Sequence, residues 1–239
     1  MGRLEQAGIE AAAARLRGQV VATPLLGVGW LPGVEIASPV RVKAEMLQPG
    51  RSACYRGLLH ALLCARGERP GMILHGRGVL AGACVAHELR MQAVAFLPMA
   101  DAGLAVALDQ LGCRWVRVDD VAAAVEAEQR RAGFLAMPAP GQEDHDLGMA
   151  TLGLELATQL PRACERVFCW HSAAAAVTAG LRAGGHGAAA EGVGSAAAAT
   201  PCMSGLQQLH GLCGDAVDEA VFVQAARAGG QVAAVLGWG

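Results

Sequence analysis

The chain has a single lysine, Lys43, among its 239 residues, and all its other basic side chains are arginine. An aldehyde cofactor held as an imine would therefore have only the Lys43 amine or the terminal amine to react with. Close cysteine pairs are missing as well. The eight cysteines, at positions 54, 64, 84, 113, 164, 169, 202 and 213, form no CxxC motif, and their apolar surroundings predict reduced, buried thiols. His75, His145, His171 and His210 share no ligand spacing, so no metal site is expected. No stretch is apolar for long enough to span a bilayer. The start, Met1-Gly2-Arg3-Leu4-Glu5-Gln6, is polar where a secretory leader has its apolar core, which gives a cytoplasmic expectation. A net charge of -2 without a long run of like charges leaves no electrostatic footprint for nucleic acid or an anionic membrane surface.

What is present reads as one enzyme-sized α/β body, or two lobes sharing a core. Gly8 to Leu16 predicts a short helix, ended by Thr23-Pro24-Leu25-Leu26. Val40 to Met46 alternates as a strand, with Val40, Val42, Ala44 and Met46 on one face and Arg41, Lys43 and Glu45 on the other. Gln48-Pro49-Gly50-Arg51-Ser52 is turn chemistry, and Ser52 can cap a helix through Tyr55, Leu58, Leu59 and Leu62. Strands at Met72 to Leu74, Ala93 to Leu97 and Trp115 to Val118 then alternate with helices at Ala81 to Leu89, Leu104 to Leu111 and Val121 to Ala132. That order implies a parallel sheet with crossover connections. Thr151 to Gln159 predicts another helix and Arg166 to Trp170 another strand. Residues 184–199 are nearly all Ala and Gly, a loop or degenerate helix that carries no chemistry. Ala216 to Val223 reads as a late strand. Trp30, Trp115 and Trp170 are read as core or lobe-interface residues.

The order of these landmarks resembles the fold-type II pyridoxal-phosphate enzymes of the threonine dehydratase and serine racemase group, in the tryptophan synthase beta superfamily. Thr23-Pro24-Leu25, Val42-Lys43-Ala44-Glu45-Met46-Leu47-Gln48 and Arg51-Ser52-Ala53-Cys54-Tyr55-Arg56-Gly57 look like that group's TPL, LKxExLQ and GSFKxRG. In the last motif Cys54 stands where the group carries its Schiff-base lysine. Leu74-His75-Gly76-Arg77-Gly78 resembles the loop S-S/A-G-N-H, which contacts the cofactor ring oxygen and the substrate carboxylate, with Arg77 in place of asparagine. Phe96-Leu97-Pro98, Leu111-Gly112-Cys113 and Gly148-Met149-Ala150-Thr151-Leu152-Gly153-Leu154-Glu155 resemble VMP, LGA and GQGTxGxE. The phosphate loop GGGGL aligns with Ala173, Ala174, Ala175, Ala176 and Val177, and alanine lacks the conformational freedom that such a loop needs. Asp215 to Val221 resembles the late VDEVV strand.

The resemblance implies an α/β, two-lobed, three-layer αβα architecture with mostly parallel sheets and an abbreviated C-terminal part. Residues 1–67 with 136–239 would form the larger lobe and 68–135 the smaller, with a cleft between them. Candidate ligand-binding residues are Ser52, Arg56, His75, Gly76, Arg77 and Gly78. With anchor, ring-oxygen contact and phosphate loop all altered, no cofactor is expected, and Lys43 belongs to the strand rather than to the anchor helix.

Three functional readings stand. One is a pseudoenzyme that binds a small anionic or amino-acid-like ligand, or pairs as homodimer or heteromer with an active relative. Another is a cofactor-independent enzyme using Cys54 or Arg77, with His75 or His60 as base and a thiol acidified at a helix N-terminus. The third is an active pyridoxal-phosphate-dependent L-threonine or L-serine ammonia-lyase or racemase of amino-acid metabolism.

Overall fold

The computed structural model describes residues 4–29, 40–65, 71–98, 102–193, 216–228 and 230–237. Trp30, His210, Cys202 and Cys213 lie outside them. The elements run α1 (Gln6–Leu16), β1 (Leu25–Val28), β2 (Val40–Ala44), two 3-10 turns (Glu45–Leu47 and Pro49–Arg51), α2 (Cys54–Ala65), β3 (Gly71–Leu74), α3 (Val79–Glu88), β4 (Gln92–Leu97), α4 (Ala102–Gln110), β5 (Arg114–Arg117), α5 (Val121–Ala132) and β6 (Leu135–Ala136). There follow α6 (Glu143–Gln159), β7 (Arg166–Trp170), a 3-10 turn (His171–Ala173), α7 (Ala174–Ala183), β8 (Ala189–Val193), α8 (Ala216–Ala228) and β9 (Val232–Leu236).

The strands form two sheets. One has the order β1-β2-β9-β7-β8 and the other β5-β4-β3-β6. All pairings are parallel except β1 with β2, where Leu25 faces Lys43 and Val28 faces Val40. Strand β3 shows why helices cover both faces of the four-stranded sheet. Met72 and Leu74 pack with Tyr55, Leu58, Leu59 and Val85, while Ile73, between them, packs with Val94, Phe96, Val121 and Phe134. Alternate side chains of a strand point to opposite faces, and a strand buried on both sides needs both to be apolar. The five-stranded sheet has its own core, in which Val42, Phe168 and Val235 meet Leu152 and Leu156 of α6, Val177 and Leu181 of α7, and Phe222 of α8. Two mostly parallel sheets flanked by helices make this a three-layer α/β structure. No helix of the described residues is long and apolar enough to cross a membrane.

Several boundaries differ from the sequence expectation. Ala216 to Val223 is not a strand but the first part of α8. Val221, Phe222, Ala225 and Ala226 are buried, a spacing that places them on one face of a helix. The strand lies further on, where Val232 to Leu236 are all buried beside β2 and β7. Strand β2 ends at Ala44, because Glu45 begins a 3-10 turn. Helix α6 starts at Glu143, eight residues before Thr151, with Glu143, Asp144 and Asp146 in its first turn, where carboxylates favour the positive end of the helix dipole. Within the Ala/Gly segment, Ala189 to Val193 pair with β7 as an edge strand.

Candidate functional site

The candidate site lies at the C-terminal end of β3 and the helix N-termini beside it, the position where open α/β sheets present ligand sites. Strand β3 ends at Leu74 and turns through His75, Gly76, Arg77 and Gly78 into α3. Gly76 (φ 68°) and Gly78 (φ 76°) both adopt the left-handed region, which an L side chain rarely enters. Gly78 also fits closely against α2: a Cβ on it would come within 3.4 Å of the Cys54 Cβ and 3.8 Å of its Sγ. On the opposite side, Gly50 (φ 67°) lets the turn before α2 press on α3, since a Cβ there would lie 2.4 Å from the Ala81 Cα. The first turns of α2 and α3 are therefore held side by side.

Cys54 begins α2 and is half-buried. Its backbone N–H donates to the Ser52 Oγ at 3.2 Å, a local cap of the kind serine supplies. Burial pushes the Cys54 thiol up, and Ser52 and the Arg77 guanidinium only partly offset this. The helix N-terminus therefore does not make a thiolate here. His60 is buried and turned elsewhere, with its ring nitrogens meeting the Asp144 carbonyl and Arg15. Arg77 is exposed on the loop and lies over the Trp170 ring, 5.2 Å from its centroid. Because Trp170 ends β7, this contact joins the two sheets. Trp170 also meets the His171 ring edge-on at 5.0 Å.

Arg56 and Lys43 lie in a buried polar network. Arg56, 1% exposed, donates from Nε to Glu45 at 2.8 Å and from Nη2 to Glu45, Glu155 and the Val21 carbonyl at 2.9, 2.8 and 3.1 Å. Burial works against its charge, but the Glu45 and Glu155 carboxylates outweigh that and hold its guanidinium above the ordinary arginine value. Lys43, 0% exposed, donates to the Thr23 carbonyl at 2.6 Å, to Gln159 at 2.8 Å and to Glu155. Those acceptors use all three ammonium protons. Burial pulls the Lys43 ammonium below its ordinary value, opposed by Glu155 and Glu45. Arg56 thus spends its guanidinium on this network, while Ser52, Cys54 and Gly78 lie against one another and the loop from His75 to Gly78 runs beside them.

Residues 171–183 run as a continuous 3-10 and α-helical stretch. Ala173 and Ala176 are buried in the core of the five-stranded sheet, and Ala174 packs against it. Neither Ala173 (φ -95°) nor Ala174 (φ -56°) adopts a left-handed conformation, so no nest of successive N–H groups wraps outward here. Taken together, the residues do not suit pyridoxal phosphate. The Lys43 amine is enclosed, the residue opening α2 is a thiol, and the segment aligned with a phosphate loop lacks left-handed turns at Ala173 and Ala174.

Sequence reasoning missed a cluster at the far end of α2, where His60, Cys64 and Asp144 gather their donor atoms within 4.8 Å of one another. The signal was available, since His60 and Cys64 are four residues apart and so share a helix face.

No protein-family model matches the sequence, and neither does any curated protein. Solved structures do. The chain is similar to a pyridoxal 5'-phosphate-dependent aspartate racemase, with a TM-score of 0.78 and 16% identity over 100% of this chain and 96% of that one. A serine racemase from Dictyostelium discoideum gives 0.75 and 12%, covering 100% and 98%. An L-serine ammonia-lyase from the fungus Rhizomucor miehei gives 0.70 and 18%, covering 92% and 94%. At such identities the likeness is one of fold, and the chain has the two-sheet, three-layer α/β architecture of the fold-type II pyridoxal-phosphate enzymes.

Proposed function

We propose that this chain is a pseudoenzyme on the pyridoxal-phosphate fold, which holds a small carboxylate ligand in the cleft between its sheets and performs no imine chemistry. The observation that carries the reading is the state of Lys43 and of Cys54. The sole lysine spends its three protons on Thr23, Gln159 and Glu155 in the interior, and Cys54, at the position the sequence motif assigns to the anchor, cannot form the imine on which transaldimination depends. The carboxylate preference rests on the loop from His75 to Gly78. There Arg77 stands beside the first turns of α2 and α3, whose N–H groups favour an anion.

The cofactor-independent reading with Cys54 as nucleophile loses support from its raised thiol pKa, because the thiolate is the reactive form. Two measurements test the proposal. Added pyridoxal phosphate should leave the protein without the violet-edge absorbance of a protein-bound imine. L-serine, L-threonine or L-aspartate should raise the thermal midpoint of the parent and not of R77A. A stoichiometric imine band, or turnover of any of these amino acids in the presence of the cofactor, would overturn the reading. An equal effect of the amino acids on R77A would remove the carboxylate site.

A further inference from the structure

We infer that His60, Cys64 and Asp144 form a binding site for one Zn2+ ion, at the end of α2 remote from the cleft. Cys64 is ten residues along the helix from Cys54, about 15 Å at the α-helical rise, so this site is separate from the one proposed above.

The arrangement rests first on the orientation of His60. Its Nδ1 lies 2.7 Å from the Asp144 backbone carbonyl. A carbonyl oxygen only accepts, so Nδ1 carries the proton and Nε2 presents its lone pair. Metal-binding histidines are commonly held in this way, with the second ring nitrogen donating to a carbonyl or carboxylate. The Cys64 Sγ lies 3.9 Å from Nε2. A tetrahedral Zn2+ with bonds of about 2.3 Å to sulfur and about 2.0 Å to nitrogen sets those two atoms about 3.6 Å apart. An Asp144 carboxylate oxygen completes the group, with all three donor atoms within 4.8 Å of one another. A nitrogen, a sulfur and an oxygen donor form a set that suits zinc, and water would fill the fourth position.

A second observation points to the same spot. The Arg15 guanidinium reaches in from α1, its Nη1 donating to Cys64 Sγ at 2.8 Å and lying 3.2 Å from His60 Nε2. One cationic nitrogen therefore already faces two of the three lone pairs that the metal would take. Arg15 is exposed and can swing into solvent when Zn2+ enters. On binding, the Cys64 S–H bond breaks, its proton passes to the buffer and the thiolate sulfur bonds the ion, while His60 and Asp144 bind without further proton loss. The ion would tie α2 to the first turn of α6.

The test uses the full chain without an affinity tag, stripped with a chelator and titrated with Co2+, then with Zn2+. The expected result is one Co2+ per chain, with a thiolate-to-cobalt band in the near ultraviolet and the strong visible bands of tetrahedral cobalt. One proton should be released per ion, and Zn2+ should displace Co2+ stoichiometrically. C64S should abolish the near-ultraviolet band and D144N should weaken binding at least about tenfold, a loss no smaller than that for outer-shell partners of metal ligands. R15A should bind several-fold more tightly because it removes a competing cation, and C84S, on α3, should behave as the parent. Asp144 is exposed, so D144N keeps the test sharp even if C64S folds poorly. Failure of the parent to bind Co2+, or retention of parent spectrum and affinity by both C64S and D144N, would overturn the inference. Weaker binding by R15A would contradict the role given to Arg15.

Discussion

Arg56 and Lys43 bring two positive charges into the interior, and Glu45 and Glu155 bring two negative ones, with Thr23, Gln159 and the Val21 carbonyl taking the remaining hydrogen bonds. A buried set of this kind is costly to break from one side, because the partner left behind is charged and dry. R56M is therefore expected to lower the unfolding free energy by about 3–5 kcal/mol, measured by urea titration. R56K should fall between it and the parent, since an ammonium cannot reproduce the Nε and Nη2 fork. The sequence placed Lys43 and Glu45 side by side on a strand but cast Arg56 as a ligand contact. Nothing local distinguishes the two roles, because Glu155, which decides it, lies 99 residues away.

The buried thiols set a pH dependence at the same scale. Burial raises Cys113 from an ordinary 9.0 to about 11 and Cys169 to about 12. Such a thiol ionises earlier in the unfolded chain than in the folded one. Its contribution to stability is therefore full below pH 9.0 and is lost as pH rises through about 11 and about 12. The urea midpoint is expected to fall steadily above pH 9.0. A flat profile would mean that these thiols are not desolvated.

At the scale of elements, the junction of α6 with α7 depends on two glycines facing each other. A Cβ on Gly153 would lie 2.1 Å from the Val177 carbonyl oxygen, and one on Gly180 would lie 1.9 Å from that of Ala150. Gly148 plays the same part toward α2, where a Cβ would meet the Arg56 carbonyl at 2.5 Å. Backbone cannot yield as a side-chain tip can, so G153A and G180A should each cost about 1–3 kcal/mol or more. G187A, with nothing within 4 Å of its added Cβ, should cost much less, and thermal melts of the three variants compare them.

Gly148 and Gly153 were visible in the sequence as landmarks, but their reason was not, since close approach of two helices leaves no trace in either one's own pattern. Element order was legible from the alternation of apolar runs, because a strand buried on both faces and an amphipathic helix differ in period. The late helix α8 was misread because Ala216 to Val223 satisfies both periods over so short a run. Only Ala225 and Ala226 tip it toward helix.

Taken as a whole, the molecule has two mostly parallel sheets flanked by helices, a fold similar to that of the racemase and ammonia-lyase structures. Arg77 over Trp170 links the two sheets, and residues 171–183 run as helix. If the account is right, restoring the amine alone does not restore chemistry. C54K is expected to show no racemase or ammonia-lyase turnover with L-serine, L-threonine or L-aspartate in the presence of pyridoxal phosphate, checked by chiral chromatography and by keto-acid release. Turnover by C54K would mean that residues 171–183 can serve a phosphate and that an amine at position 54 suffices for the chemistry.

Borohydride reduction of the parent protein with excess pyridoxal phosphate, followed by peptide mass spectrometry, decides whether this fold is used here without imine chemistry. The account requires Lys43 to remain unmodified. A stoichiometric pyridoxyl group on Lys43 would contradict it.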